Sequence, residues 1–174
     1  MKTTFVKKHG LTFCLLLCIG GNVHAQTKSA IKSANTKERS VSKIAKGTFE
    51  VKVTPQPAEE NVGDSAIGRM SLDKQFNGDL IANSKGQMLG FQGAIEGSGG
   101  YVAMERVTGT LNGKKGSFVL QHWGTMQGGK FEMNVSVVPD SGTGDLKGIS
   151  GKMKIIIEGA EHFYEFEYSL RTGQ

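Results

Sequence analysis

Two ionisable side chains on neighbouring predicted strands could carry out proton transfer. By strand alternation, Glu105 shares a face with Tyr101 and Val107, and His122 shares a face with Leu120. A carboxylate beside an imidazole in apolar surroundings can act as acid and base, because burial and pairing move both pKa values toward the working pH. Glu105 and His122 are therefore candidate catalytic residues, and Tyr101 is a third that could polarise a carbonyl or enol oxygen.

The Glu105 and His122 pair also has a purely structural interpretation, which we favour over catalysis. Buried polar groups are normally hydrogen-bonded, so the two side chains could satisfy only each other. Ion-pair networks perturb pKa values as readily as active sites do. The pattern predicts that the pair lies inside the protein, and it leaves the role of the pair open.

The relative position of the pair depends on the turn between their strands. A four-residue loop at 112–115 would place Glu105 directly opposite His122, whereas a two-residue turn at Asn112-Gly113 would make the pair diagonal. Both turns keep the two side chains on one face. A three-residue loop would put the two apolar stripes on opposite faces, and we disfavour it for that reason.

A lysine and a second histidine extend the set of candidate ligand-binding residues. Lys74 is in register with Phe76 on the apolar face of its strand, where it could bind a carboxylate or form an imine. A lysine at the rim that extends its ammonium into water is the more usual arrangement. His162 begins a strand that continues with Tyr164, which favours a rim position. The candidate ligand-binding residues are Lys74, Glu105, His122, Tyr101 and His162.

Apolar residues alternate with polar ones from residue 47 onward. Phe49, Val51 and Val53 alternate with charged or polar residues, and the same period recurs at 131–137 and 164–170. This pattern is typical of antiparallel strands with one solvated face. No segment in this range has the pattern of an amphipathic helix, and Gly-rich turns separate the strands. The sequence therefore predicts an all-β sandwich or barrel.

The amino-terminal residues predict export and a flexible arm. Residues 1–25 combine a lysine-rich start, a short apolar stretch and small residues before a cleavage site at Ala25, as in a secretory signal peptide. Residues 26–46 are basic and polar, which indicates a flexible arm, and 47–174 form the predicted domain. We expect a periplasmic or secreted protein with no membrane span after cleavage. Both cysteines, Cys14 and Cys18, leave with the signal peptide.

Charge and composition narrow the partners. Residues 47–174 contain 12 basic and 15 acidic residues, so the net charge of +5 comes from the amino terminus and does not predict nucleic-acid binding. Without cysteines and with no metal-ligand spacing around the two remaining histidines, we expect no metal and no cofactor. Trp123 and Val119 could form an exposed apolar strip compatible with a homo-oligomer.

Four segments resemble a known family. Residues 69–80, 100–111, 116–122 and 138–144 are similar to an uncharacterised bacterial family grouped with the allene-oxide-cyclase-like barrels, which include the dirigent proteins. The resemblance covers roughly residues 47–170. It implies a small closed antiparallel barrel of about eight strands. No site motif of the cyclases or dirigent proteins matches position by position, so the resemblance implies no catalytic residue.

Three functions fit such a barrel. An eight-stranded barrel is just wide enough to be filled by side chains or to hold one small ligand. Our leading hypothesis is the binding of an apolar, amphipathic or carboxylate small molecule. The alternative is a cyclase or isomerase that uses Glu105 and His122, and a third is a structural or assembly protein with a packed interior.

Overall fold

A computed structural model describes residues 41–57 and 63–171. The predicted signal peptide (1–25) and the predicted arm up to residue 40 lie outside the described residues. The first strand begins at Lys43, which is within the range predicted as the arm. Within the described residues, no helix is long and apolar enough to cross a membrane.

Eight antiparallel strands form a closed barrel, which confirms the predicted fold class. Each strand pairs with the next along the chain, and β1 pairs with β8 to close the sheet. The strands are β1 (Lys43–Pro55), β2 (Ile67–Gly78), β3 (Leu80–Gln92), β4 (Gly99–Leu111), β5 (Lys114–Gln127), β6 (Lys130–Val137), β7 (Ile149–Glu158) and β8 (Glu161–Leu170). Closure removes the free edges that an open sheet would present to other chains.

The two ends of the barrel differ in their interior. We call the end near the β4–β5 turn the Asn112 end, and the end near the β3–β4 loop at residues 93–98 the Tyr101 end. Towards the Asn112 end the interior is packed with aromatic rings, since Phe166 stacks on both Phe118 and Tyr168 with centroids 5.6 and 5.4 Å apart. Leu146, in the short 3-10 helix between β6 and β7, is buried there as well.

The β4–β5 connection is a two-residue turn at Asn112-Gly113. Both residues have positive φ angles, 47° and 80°, as in the tight hairpin turn that Asn-Gly sequences favour. Leu111 therefore pairs with Lys114, which places Glu105 opposite Leu120. The alternative with a four-residue loop, in which Glu105 and His122 would lie directly opposite each other, is therefore wrong. The two residues are diagonal neighbours.

The backbone pairing between neighbouring strands is shortest between β6 and β7. These two strands pair at Ser136 and Lys152 alone among the described residues, whereas every other neighbouring pair runs over at least six positions. The remaining length of β6 is held to the barrel through β5. This seam is the part of the wall with the fewest backbone hydrogen bonds to hold it shut.

Candidate functional site

Four polar side chains converge inside the barrel between its aromatic core and the Tyr101 end. Lys74, Ser84, Glu105 and His122 come from four consecutive strands, β2 to β5. All four are buried, with Glu105 only 1% exposed. Burial of ionisable groups is costly unless they pair, so their mutual contacts determine whether the cluster is stable.

Strand register brings the four side chains together. Lys74 on β2 lies directly opposite Ser84 on β3, and Glu105 on β4 lies opposite Gly86, the next inward position of β3. Gly86 leaves room for the carboxylate, since a Cβ there would lie 2.6 Å from Cβ of Glu105 and 2.5 Å from the carbonyl oxygen of Met104. The glycine thus lets side chains from β2 and β4 meet across β3.

The carboxylate of Glu105 is the centre of the cluster. Nζ of Lys74 donates a hydrogen bond to Oε1 at 2.8 Å, and Oγ of Ser84 donates to Oε2 at 2.6 Å. Lys74 also lies 5.2 Å from the centroid of the Phe49 ring. Its ammonium is therefore held by a carboxylate and an aromatic face, which together compensate for part of its lost hydration.

His122 is close to Glu105 but is not well bonded to it. Nε2 lies 2.8 Å from Oε1. The N–H is not aligned with the oxygen well enough for a good hydrogen bond, so Glu105 satisfies the buried Nε2 only in part.

The charges around Glu105 keep it ionised. Burial is the largest single influence and raises its pKa, but the contact with His122 and the charge and hydrogen bond of Lys74 together outweigh it. The net effect lowers the pKa of Glu105 from its usual 4.5 to about 2. The expected shift of this pKa toward neutrality is therefore wrong, because the sequence pattern did not place Lys74 beside the pair. A carboxylate with so low a pKa is a weak general base at neutral pH.

Tyr101 lies one interior position beyond His122, at the barrel end that bears its name. It is partly buried, and its ring covers Gly124, where a Cβ would be 2.5 Å from the ring carbon Cε1. Burial raises the pKa of the Tyr101 phenol, and the negative charge of Glu105 raises it further. The phenol therefore stays protonated and can donate a hydrogen bond.

Three methionines flank Tyr101 on the inner wall. Met70 pairs with Met88 on the same rung as His122, and Met133 lies on the next rung, opposite Gly124. All three methionines are partly buried. Methionine side chains are flexible and polarisable, so this end of the interior can change shape more easily than the aromatic core.

Of the two remaining candidates, Lys74 differs from the expected position. Lys74 is not a rim residue with its ammonium in water, since it is 6% exposed and paired with Glu105. That pairing also occupies the ammonium that a carboxylate ligand or an imine would need. His162 is partly buried, and its ring contacts Phe49 at 5.1 Å and lines a groove on the β1 side.

Sequence reasoning did not identify Ser84. It continues the inward alternation Leu80, Ala82, Ser84 on β3, so the period-two pattern alone would have placed its hydroxyl inside. Within the described ranges, no group of three or more His, Cys, Asp or Glu side chains could hold a metal ion.

Together, these features define a closed eight-stranded antiparallel barrel with a buried ionic cluster near one end. The chain belongs to the family described as protein of unknown function (DUF3224), whose family model matches residues 45–168. It is similar to a solved structure of a DUF3224 protein of unknown function from Shewanella oneidensis MR-1, with 46% identity and a TM-score of 0.70. That match covers 76% of this chain and 100% of the other. No curated protein matches the chain.

Proposed function

We propose that the protein binds one small apolar or amphipathic molecule at the Tyr101 end of the barrel. The ligand's apolar part packs against Met70, Met88 and Met133, and its polar group reaches the buried cluster. Small-molecule sites commonly combine an apolar lining with a few polar groups that fix orientation. This end has both, while the aromatic core leaves no comparable flexibility at the Asn112 end.

The observation that carries this proposal is the buried Nε2 of His122, which lies 2.8 Å from Oε1 of Glu105 without a well-aligned hydrogen bond. The side chain is 4% exposed, so water does not reach it freely. A ligand oxygen next to His122 would accept a hydrogen bond from Nε2 in the direction in which Oε1 of Glu105 is not aligned. The Tyr101 phenol, kept protonated, is a second donor for the same oxygen.

The charge balance of the cluster favours a neutral polar group on the ligand. Lys74 is already neutralised by Glu105, with 2.8 Å between the charged atoms. A carboxylate ligand would approach an ionised Glu105 whose charge already occupies the ammonium of Lys74, which is unfavourable in a buried site. A hydroxyl or carbonyl group avoids this repulsion. We therefore favour an alcohol or carbonyl compound over the carboxylate considered from sequence.

The low pKa of Glu105 argues against the cyclase or isomerase alternative. Such an enzyme would need an acid or base that titrates near the working pH, and Glu105 is held ionised by Lys74 and His122. We propose further that the protein acts after export to the periplasm or beyond, since residues 1–25 have the layout of a signal peptide. The grouping with allene-oxide-cyclase-like barrels stays a prediction from the resemblance.

Three probes of equal chain length test the ligand class. Octanol, octanoate and octane share an apolar chain, and they differ in offering a neutral acceptor, a charged one or none. We expect octanol to shift the methyl resonances of Met70, Met88 and Met133 in NMR spectra at the lowest concentration. The variant His122→Phe keeps an aromatic ring but no donor, so it should lose the preference for octanol over octane. If no probe shifts these methyls, the binding proposal is wrong.

A further inference from the structure

The outer wall of the barrel carries an apolar patch separate from the interior site. Six large apolar side chains on β2 to β5 point outward, and each is between 43% and 55% exposed. We call them the outer patch, which consists of Ile67, Leu89, Phe91, Val102, Met104 and Trp123. Isolated exposed apolar residues are ordinary, whereas contiguous ones mark a contact surface.

Strand register makes the outer patch contiguous. Leu89, Val102 and Trp123 are directly paired across three neighbouring strands and form one row. Ile67 and Phe91 are paired in the row beside it, nearer the Tyr101 end. The apolar strip expected from Trp123 and Val119 therefore runs in another direction. Trp123 is paired with Val102, which is paired in turn with Leu89, whereas Val119 is paired with Arg106.

A hollow lies within the outer patch. Gly100 points outward between Phe91 and Thr125 and has no side chain to fill its position. The hollow has a volume of about 430 Å³, and Trp123 and Val102 form part of its wall. No charged residue lines it within the described part of the chain.

The size of the outer patch matches the apolar part of a protein interface. With roughly half of each side chain accessible, the six residues present on the order of 500 Å² of apolar surface. A stable interface buries about 800 Å² on each partner, and a little over half of that is apolar. One outer patch therefore supplies about as much apolar area as one side of such an interface needs.

We propose that the outer patch is the interface of a two-fold symmetric dimer with a second copy of this chain. In a two-fold interface the same residues meet on both sides, so Trp123 of each copy can fill the Gly100 hollow of the other. The six residues of the outer patch carry no charge themselves, and the basic side chains beside them are Arg69, paired with Leu89, and Arg106, next to Met104 on the outer face of β4. Two separated arginines are not the basic cluster that draws a protein to an anionic membrane. The proposal does not depend on ligand binding, because the patch faces away from the interior.

Sedimentation velocity of the full chain over a concentration series tests the dimer. We expect wild-type protein to sediment at twice the monomer mass at high micromolar concentration. Val102→Glu should weaken association at least about tenfold, because it buries a charge without a partner. Ile81→Glu is the matched control: Ile81 is 66% exposed on the outer face of β3 but lies outside the outer patch, so this variant should remain dimeric.

Tryptophan emission provides a second measurement that does not depend on the variants folding. Trp123 is the single tryptophan of the chain, so its emission should shift to longer wavelength as the wild-type protein is diluted and dissociates. The proposal is wrong if the wild-type protein stays monomeric, including the case in which the monomer binds lipid vesicles through this surface. It is also wrong if a dimer forms without a change in Trp123 emission, or if Ile81→Glu weakens the dimer as much as Val102→Glu does.

Discussion

Replacing the central carboxylate of the buried cluster tests how the charges are balanced. Glu105→Gln keeps the shape of the side chain but removes the negative charge 2.8 Å from Nζ of Lys74. Lys74 is 6% exposed, so its ammonium would stay buried without a counter-ion. Breaking a buried ion pair in this way costs about 3–5 kcal/mol of unfolding free energy.

The lowered pKa of Glu105 gives a second route to the same magnitude. A pKa that falls from 4.5 in the unfolded chain to about 2 in the folded protein corresponds to about 3 kcal/mol of stability at neutral pH. The charge of Lys74 contributes to both magnitudes, so they are similar. We therefore expect Glu105→Gln to lower the unfolding free energy by about 3 kcal/mol or more.

Urea unfolding of three proteins measures this effect. Wild type, Glu105→Gln and the double variant Glu105→Gln with Lys74→Met are compared by circular dichroism at neutral pH. Removing the orphaned ammonium should recover most of the loss, leaving the double variant within about 2 kcal/mol of wild type. The reasoning is refuted if Glu105→Gln costs less than about 1 kcal/mol, or if the double variant is no more stable than the single one.

The same buried cluster determines the pH dependence of stability and the effects of changes at Gly86 and Ser84. The extra stability from Glu105 is fully present above its unfolded pKa of 4.5 and is lost as the pH falls toward 2. The difference in urea midpoint between wild type and Glu105→Gln should therefore become smaller between pH 4.5 and pH 2 and stay constant above pH 4.5. Gly86→Ala should destabilise by about 1–3 kcal/mol in thermal unfolding, because its Cβ would lie 2.5 Å from the carbonyl oxygen of Met104; an unchanged melting temperature would contradict the close strand approach. Ser84→Ala should cost about 1.5–3 kcal/mol and raise the pKa of Glu105 in an NMR titration, and a pKa that does not move would mean that the 2.6 Å bond is unimportant.

Strand alternation predicted the inward face because it is a local property of the chain. A period of two placed Glu105, His122 and Lys74 on the apolar side of their strands, and the barrel interior contains all three. The Asn112-Gly113 turn was one of the two that the sequence left open, and it sets the diagonal relation between Glu105 and His122.

The contacts within the cluster could not be predicted in this way. Whether Lys74 meets Glu105 depends on the stagger of β2 against β4 across an intervening strand, which is a property of the closed sheet. Gly86 allows Lys74 and Glu105 to make contact because it has no side chain between them. The sequence of a strand does not show which neighbouring side chain will occupy the space beside a glycine. The low pKa of Glu105 follows from these contacts, so it could not be predicted from the sequence either.

Native mass spectrometry of the protein purified from its own host tests the binding proposal most directly. The proposal predicts that wild-type protein carries a neutral small molecule as a mass above that of the polypeptide. It also predicts that His122→Phe, prepared in parallel, loses most of that molecule, while the outward control Ile81→Glu retains it. Equal occupancy in wild type and His122→Phe, or bare polypeptide masses throughout, would contradict a ligand site at His122.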